Sequence, residues 1–456
     1  MIWLYRILFF PALLFMLPYY LLRMWRRGGY GPGFSQRFGG AITLGPKRPA
    51  AKRVWLQAVS VGEMQAIAPL LNALKQRGNI EVYLTTTTST GHKIAIDRYG
   101  EKSGLTAGIG YFPLDWWAFS ARAWRRVHPD LVILMEGERW PEHLAQARKR
   151  GVPVLAVNAR LSDRSFSRMK TWRRAVMPLL QKGITRVLAC SEADAARFRE
   201  LGFTQEQVTV TGNIKWDVTI PALSEEEKTA LKKELGLDER LGEPPQAGQS
   251  AIRNPQSAMV LLGSSTWPGE EEACVAALRA VRAAGAHARL LLVPRHMERR
   301  AEVETMLQKE APAANGAPGL AWHFRSRGAA PAPVDVAVGD TTGELRKFTQ
   351  LADLVFVGKS LAPHTEGQTP VEAAALGRAI VFGNGMSNFR EISQHLVKAG
   401  AARIVQNPAE LCATAVLVLG DTPARAKMMA AAQACHRGNQ GAVARTLAEI
   451  DATLRI

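Results

Sequence analysis

The chain begins with one long apolar run and then breaks its apolar residues into short bursts. The run is IWLYRILFFPALLFMLPYYLL, residues 2–22, interrupted only by Arg6. Downstream, VWLQAV (54–59), EVYLTTT (81–87), LVILME (131–136), VPVLAVN (152–158) and RVLACS (186–191) are β-branched or continuously apolar and stop at polar or turn residues. Runs of that kind predict strands covered on both faces. Between them, MQAIAPLLNALKQRG and WPEHLAQARKRG repeat apolar residues at helical spacing and close on Gly, which predicts helices. A second series, AMVLLGSS, ARLLLVPRH, DVAVGD, DLVFVGKS and AIVFGNG, begins after residue 257. Strands alternating with helices imply parallel, doubly wound sheets, so the fold class is α/β with two Rossmann-like halves.

The stretch between the two series, GLDERLGEPPQAGQSAIRNPQSA (236–258), is rich in Pro, Gly, Gln and charge and poor in apolar residues, and reads as a mobile insertion. The expected organisation is therefore residues 1–30 as an anchor with a basic flank, 31–220 as the first Rossmann-like domain, and 221–258 as a linker with the insertion. Residues 259–430 form the second domain, and 431–456 form a helical segment returning to the first half. A chain of 456 residues suits two domains, which run to about 100–200 residues each.

About 20 apolar residues suffice to cross a bilayer. Arg23, Arg26, Arg27 and Arg37 follow the first run, and positive flanks stay on the cytoplasmic side. The globular part is therefore expected at the cytoplasmic face. A cleaved signal peptide is the competing reading, weakened by a thin basic n-region, the lack of an A-x-A site and the length of the run. Pro11 and Pro18 also leave open a kinked span or a helix lying in the interface. The net charge of +18 calls for an anionic partner: nucleic acid, a phospholipid surface or a phosphorylated substrate. Cys190, Cys274, Cys412 and Cys435 are too widely spaced for a disulfide framework or a zinc site, which suits a reducing compartment.

Neither G-x-x-x-x-G-K-[ST] nor G-x-G-x-x-G occurs, so ATP hydrolysis and NAD chemistry lose ground. In open α/β sheets ligands sit beyond the carboxyl ends of the strands. There the first half offers Ser60-Val61-Gly62-Glu63, the Thr85–Thr90 run with Gly91, and Glu136-Gly137-Glu138-Arg139-Trp140-Pro141. The second half offers Gly263-Ser264-Ser265-Thr266, read as opening a helix, then Pro294-Arg295-His296, Gly339 to Glu344, and Glu366 to Glu372. The two sets are expected to face each other across a cleft. Glu63 alone has two readings: a carboxylate favoured by about 0.3–1 kcal/mol at a helix N-terminus, or a general base presented past a Gly that lets a ligand approach. Of Glu136 and Glu138, alternate residues leaving a strand, one should reach the cleft while the other pairs with Arg or caps a helix. Lys215 would by default be a solvated surface lysine.

SVGE, TTTTSTG, E-x-E-x-WP, NARLSDRS, TGNIKWD, LVPRH, GDTTGEL and EGQTPVEAAALG, in that order and with the N-terminal apolar run, resemble the bacterial 3-deoxy-D-manno-octulosonic acid (Kdo) transferases. The likeness covers nearly the whole chain apart from the insertion. It implies an inner-membrane glycosyltransferase of the two-Rossmann GT-B architecture that moves Kdo from CMP-Kdo to a phosphorylated lipid A precursor, without cofactor or metal. It assigns Glu63 as catalytic base, Glu136 to the oxocarbenium-like transition state, and Lys215 to the departing CMP phosphate; Ser264 and Ser265, read as opening a helix, would add backbone N–H groups to the same phosphate. Pro294 and Arg295 correspond to the pair flanking the cytosine. Thr342-Gly343-Glu344 stands for a Met-Gly-Glu turn, and Thr369-Pro370-Val371-Glu372 for Asn-Pro-Leu-Glu, with Glu372 at the ribose hydroxyls. Gly137 stands where Thr is common and Lys359 where a second Gly is common.

RLSDRSFSRMKTWRR (160–174) interleaves six cations with Leu161, Phe166, Met169 and Trp172. Such a stretch either binds phosphorylated head groups at an anionic inner-membrane surface or is a solvated helix face packed on the core. No nucleic-acid motif accompanies it, so nucleic acid is not expected. Two other functions fit the same outline: a non-catalytic membrane-surface protein on a decayed sugar-nucleotide fold, and a sugar-nucleotide epimerase. Intact Glu63, Glu136 and Lys215 speak against decay, and an epimerase needs no lipid-facing basic surface.

Overall fold

The computed structural model describes residues 1–26, 33–42, 44–59, 61–238, 258–310 and 319–456. Ser60, linker residues 28–32 and residues 239–257 of the expected insertion lie outside them. The chain divides into two compact units, Met1–Asp217 with Asn439–Ile456, and Val218–Gly438.

The first unit is built on seven strands: β1 (Lys52–Gln57), β2 (Ile80–Thr86), β3 (Gly108–Tyr111), β4 (Leu131–Met135), β5 (Val154–Ala159), β6 (Arg186–Ala189) and β7 (Val208–Val210). They lie in the order β3-β2-β1-β4-β5-β6-β7, and every pairing is parallel. β2, β4 and β5 are buried along their full length, which is why apolar residues dominate each of them. Val54, Leu56, Ile133 and Leu155 pack on one face and Trp55, Tyr83, Val132 and Leu134 on the other.

The second unit repeats the plan with β8 (Met259–Thr266), β9 (Ala288–Pro294), β10 (Trp322–Phe324), β11 (Val336–Val338), β12 (Leu354–Val357), β13 (Ala379–Gly383) and β14 (Ala402–Val405). Their order is β10-β11-β9-β8-β12-β13-β14, again all parallel. β3, β10 and β14 were not anticipated. Each is a sheet edge of three or four residues, with one neighbour and little apolar surface to cover. The last helix, Ala442–Leu454, belongs to the first unit: Asp217 accepts the Gly441 and Val443 N–H groups at its start.

Residues Ile2–Arg26 form one helix that continues through Pro11 and Pro18. It contains a stretch, Ile2–Tyr19, long and apolar enough to cross a membrane. Its half-buried positions are 2, 5, 6, 9 and 13, one helical face. That face meets the folded unit. The Tyr5 hydroxyl donates to Asp115 at 2.6 Å, and Arg6 donates to both oxygens of Glu142 at 2.7 and 3.0 Å.

Candidate active site

In the first sheet the order reverses between β1 and β4: the chain runs outward through β2 and β3, then returns to the other side of β1. The crevice at such a reversal opens beyond the carboxyl ends of the two strands. Glu63 follows β1 and Glu136 follows β4.

Glu63 lies in the first turn of the helix Val61–Ala66, is 8% exposed, and accepts the Val59 N–H at 2.8 Å. That bond ties the first turn of the helix back to the chain just after β1. The threonine run supports the same turn from below, the Thr86 and Thr88 hydroxyls donating to the Val59 carbonyl at 3.2 and 3.0 Å. Gly91 must remain a glycine. A Cβ there would come within 2.6 Å of the Thr86 hydroxyl, 2.8 Å of the Thr88 hydroxyl and 3.2 Å of the Val59 carbonyl. Gly91→Ala should therefore cost about 1–3 kcal/mol through overpacking. Thermal unfolding checks this, and an unchanged melting temperature would count against the packing described.

Glu136 adopts φ 49°, a left-handed backbone that non-glycine residues rarely hold. Its carboxylate is shared by two cations: Lys215 Nζ meets Oε1 at 2.7 Å, and Arg160 Nη2 and Nε meet Oε2 at 2.7 and 3.0 Å. Burial alone would raise this carboxyl, but the Lys215 ammonium and Arg160 guanidinium outweigh it and hold it below the ordinary glutamate range. Lys215 sits on a single turn, Ile214–Trp216, after β7. Asn158 accepts the Ile214 N–H at 3.0 Å and Asn213 accepts the Lys215 N–H at 3.1 Å, which aims the lysine. Asn158 and Arg160 both come from the NARLSDRS stretch, and their part here was not foreseen. Arg160 was grouped with the exposed cations that follow it. Its position just past the end of β5, beside β4, was the available signal.

Glu138 is a different kind of carboxyl. Burial pushes it up to about 7, opposed by the Trp140 indole N–H and by Arg139. A Cβ at Gly137 would meet nothing within 4 Å, so the backbone there leaves room for a side chain.

In the second sheet the reversal falls between β8 and β12. Ser264 and Ser265 are buried in the last turn of β8 rather than at a helix start, which corrects the expectation. Ser264 pairs with Val293 of β9, Ser265 falls in the register slip between Ser264 and Thr266 with φ 55°, and the helix starts only at Glu270. Lys359, after β12, holds φ 58°, which accounts for the glycine common at that position. Among the described residues, Glu136, Asn158, Ser265 and Lys359 are four of seven non-glycine residues at positive φ, and all four lie at or just past carboxyl ends of central strands. Strain of this kind gathers at functional sites.

Glu270 was overlooked by sequence reasoning. It is 1% exposed, and its two oxygens accept the N–H groups of Trp267 (3.0 Å), Lys359 (2.7 Å), Ser360 (2.8 Å) and Leu361 (3.0 Å). It thus joins the loops after β8 and β12. Glu270→Ala strands four donors and should lower stability by about 3 kcal/mol or more, read as an earlier denaturant midpoint. A midpoint equal to that of the parent would contradict this bonding.

The remaining predicted residues cluster on the second unit. Pro294 ends β9, and Arg295 is exposed with its N–H bound to the Thr266 carbonyl at 3.0 Å. Thr342 is exposed, its hydroxyl 3.0 Å from Met297 Sδ, and Gly343 has φ 89°. Glu344 accepts the Thr341 hydroxyl and pairs with Arg325 at 3.5 Å. The Thr369 hydroxyl accepts the Val371 N–H at 3.3 Å, at the start of the short helix Val371–Ala375. Pro370 and Val371 are buried, and Glu372 pairs with Arg346 at 2.8 Å. Arg346 lies two residues past Glu344, so this pair brings the 342–344 turn and the 369–372 stretch together.

A family model described as 3-deoxy-D-manno-octulosonic-acid transferase (kdotransferase) matches residues 33–218. A glycosyltransferase structure from Rickettsia africae is similar with TM-score 0.54 and 12% identity, covering 89% of this chain and 99% of that one. The UDP-GlcNAc 2-epimerase of Neisseria meningitidis bound to UDP-GlcNAc is similar with TM-score 0.50 and 13% identity, covering 87% and 99%. Those likenesses show the shared GT-B-like fold and, spanning both enzyme types, do not separate them. The 3-deoxy-D-manno-octulosonic acid transferase of Bordetella pertussis does, being 35% identical over 447 residues, 96% of each chain. Identity sustained at that level from end to end means that the chain belongs to the 3-deoxy-D-manno-octulosonic acid transferase family.

Proposed function

We propose that this Kdo transferase takes Kdo from CMP-Kdo and attaches it, with inversion and without a metal, to the phosphorylated lipid A precursor lipid IV-A. A primary sugar hydroxyl is too weak an acid to attack unaided. Glu63 accepts its proton as the C–O bond forms, and the bond to the CMP phosphate breaks on the opposite face of the sugar. Glu136 faces the oxocarbenium-like charge that develops, and Lys215 faces the phosphate.

The observation that carries this reading is the Glu136–Lys215–Arg160 cluster at a sheet reversal, in a chain of this family. One carboxylate between two cations leaves a net charge of +1 facing an anionic leaving group. Arg160 can keep hold of Glu136 when Lys215 turns to the phosphate. In the second unit, Pro294 and Arg295 flank the cytosine, while Ser264 and Ser265 adjoin the phosphate. The Thr342-Gly343-Glu344 backbone reaches the nucleotide, and Glu372, positioned by Thr369, Pro370 and Val371, takes the ribose hydroxyls in exchange for Arg346.

The second partner is the anionic cytoplasmic face of the inner membrane. In support, Arg164, Arg168, Lys170, Arg173 and Arg174 are exposed beside Trp172, itself 63% exposed, while Phe166 and Met169 turn inward to the core. The test is to incubate the full chain with CMP-Kdo and a tetraacyl lipid A precursor and to weigh the lipid. Addition of Kdo with matching release of CMP is expected. Acceptor-independent release, or none, rejects the proposal.

A further inference from the structure

The N-terminal helix and the segment that follows it attach to one small region of the folded unit. At the start of the helix, Tyr5 donates to Asp115 and Arg6 to Glu142. Beyond its end, Arg37 donates to the Phe112 carbonyl at 2.8 Å and accepts the Leu114 N–H at 2.8 Å, and Phe38 packs edge-on against Phe119 at 5.1 Å. The tethers at residues 5 and 37 are thus separated by a single position, Leu114 to Asp115. Both carboxylates are interior groups, Asp115 being 1% and Glu142 0% exposed, so the contacts are not those of a helix lying loosely against a surface.

A helix crossing the bilayer cannot satisfy both tethers. Residues 5 to 26 span about 31 Å at 1.5 Å per residue, the thickness of the hydrocarbon layer. With Tyr5 held by the folded unit, the far end of such a span would emerge on the other side of the membrane. The chain would then have to recross between residues 26 and 37 through GGYGPGFSQ. That segment is too short for a second helix span, and an extended crossing would leave backbone polar groups without partners in lipid.

The faces of the helix turned away from the folded unit are strongly apolar. Trp3 is 70% exposed, Ile7 67%, Phe15 86% and Tyr19 61%. Arg23, Arg26 and Arg27 follow in the sequence and complement an anionic surface. A helix of this kind rests with its apolar side at the boundary of head groups and acyl chains.

We propose that Ile2–Arg26 is an in-plane membrane anchor, clamped to the first unit by the Arg6–Glu142 and Tyr5–Asp115 contacts, and that it does not cross the bilayer. The clamp would set the height and orientation of the first unit above an anionic leaflet. This rests on the membrane-surface reading above, and its test separates the mode of attachment from attachment itself.

The full-length chain, tagged before Met1 and after Ile456, is expressed and its inner membrane prepared as intact spheroplasts and as inverted vesicles. Both tags should survive protease in spheroplasts and both should be lost in inverted vesicles. Loss of the N-terminal tag alone in spheroplasts would overturn the in-plane anchor while leaving attachment intact. A second measurement uses Ile7→Cys and Phe15→Cys, each in a chain with Cys412 and Cys435 replaced by Ser. The purified chains carry a fluorophore on liposomes of phosphatidylethanolamine and phosphatidylglycerol. Equal quenching of the two positions by a shallow lipid quencher supports the proposal. A marked difference in their depth contradicts it, and failure to bind these liposomes removes the membrane reading altogether.

Discussion

Glu63→Gln should lower the turnover of Kdo transfer by about 100- to 10,000-fold, the range a general base supplies. Its melting temperature should match that of the parent chain. Glutamine is the informative substitution because Glu63 also accepts the Val59 N–H. The amide oxygen can keep that bond and so hold the turn, while the capacity to take a proton is lost. Alanine would remove both and confound fold with chemistry. The competing carboxyl is Glu138, which burial pushes up to about 7, a value suited to proton transfer near neutrality. With Glu138 as the base, the rate would climb through about pH 7 and Glu138→Gln would be the inactive variant. A Glu63→Gln chain that keeps its turnover and shows such a profile would reassign the base.

Lys215→Met should cost about 100- to 1,000-fold in turnover, the effect of removing one preorganised charge from a transition state. The Michaelis constant for CMP-Kdo should move less. The substitution also has a structural consequence, because Lys215 and Glu136 are mutually buried. Breaking a buried pair outright costs about 3–5 kcal/mol. Arg160 remains on Glu136, so the loss should fall below that range. In the Glu136→Gln/Lys215→Met double variant the stability losses should combine to less than their sum, by about 1–3 kcal/mol.

The pH dependence has a definite sign. Glu136 is held below the ordinary glutamate range in the folded chain. Its contribution to stability is complete above that range and is lost as pH falls through the lowered value. Removing Lys215 raises that value, so acid unfolding should begin at higher pH. A Lys215→Met chain with unaltered turnover and unaltered acid unfolding would remove the lysine from both roles.

The central strands were readable because burial on two faces demands apolar runs, and β1, β2, β4, β8, β9 and β12 all coincide with such runs. The edges β3, β10 and β14 were not, since a strand with one neighbour, such as Ala402–Val405 with Arg403 and Ile404 exposed, carries too little apolar surface to leave a period. The places beyond the strand ends were equally readable, because parallel connectivity puts every carboxyl terminus on one side of the sheet. The GSST stretch misled for a local reason. Small polar residues after a strand resemble a helix start, and it is pairing with both β9 and β12 that keeps Gly263 and Ser264 in the sheet, with Ser265 left in a slip of the register.

Local pattern alone thus settled the two doubly wound sheets, the apolar N-terminal helix and the loops from which chemistry is presented, because apolar periodicity and turn residues act over a few positions. Tertiary packing decided which groups meet. Glu136 finds Arg160 at a separation of 24 residues and Lys215 at 79, Glu270 finds the loop after β12 at about 90, and Tyr5 finds Asp115 at 110. Side chains so far apart carry no periodic trace of one another. Their pairing follows from strand order and from the need of buried charge for a partner, and neither exists until the chain has folded.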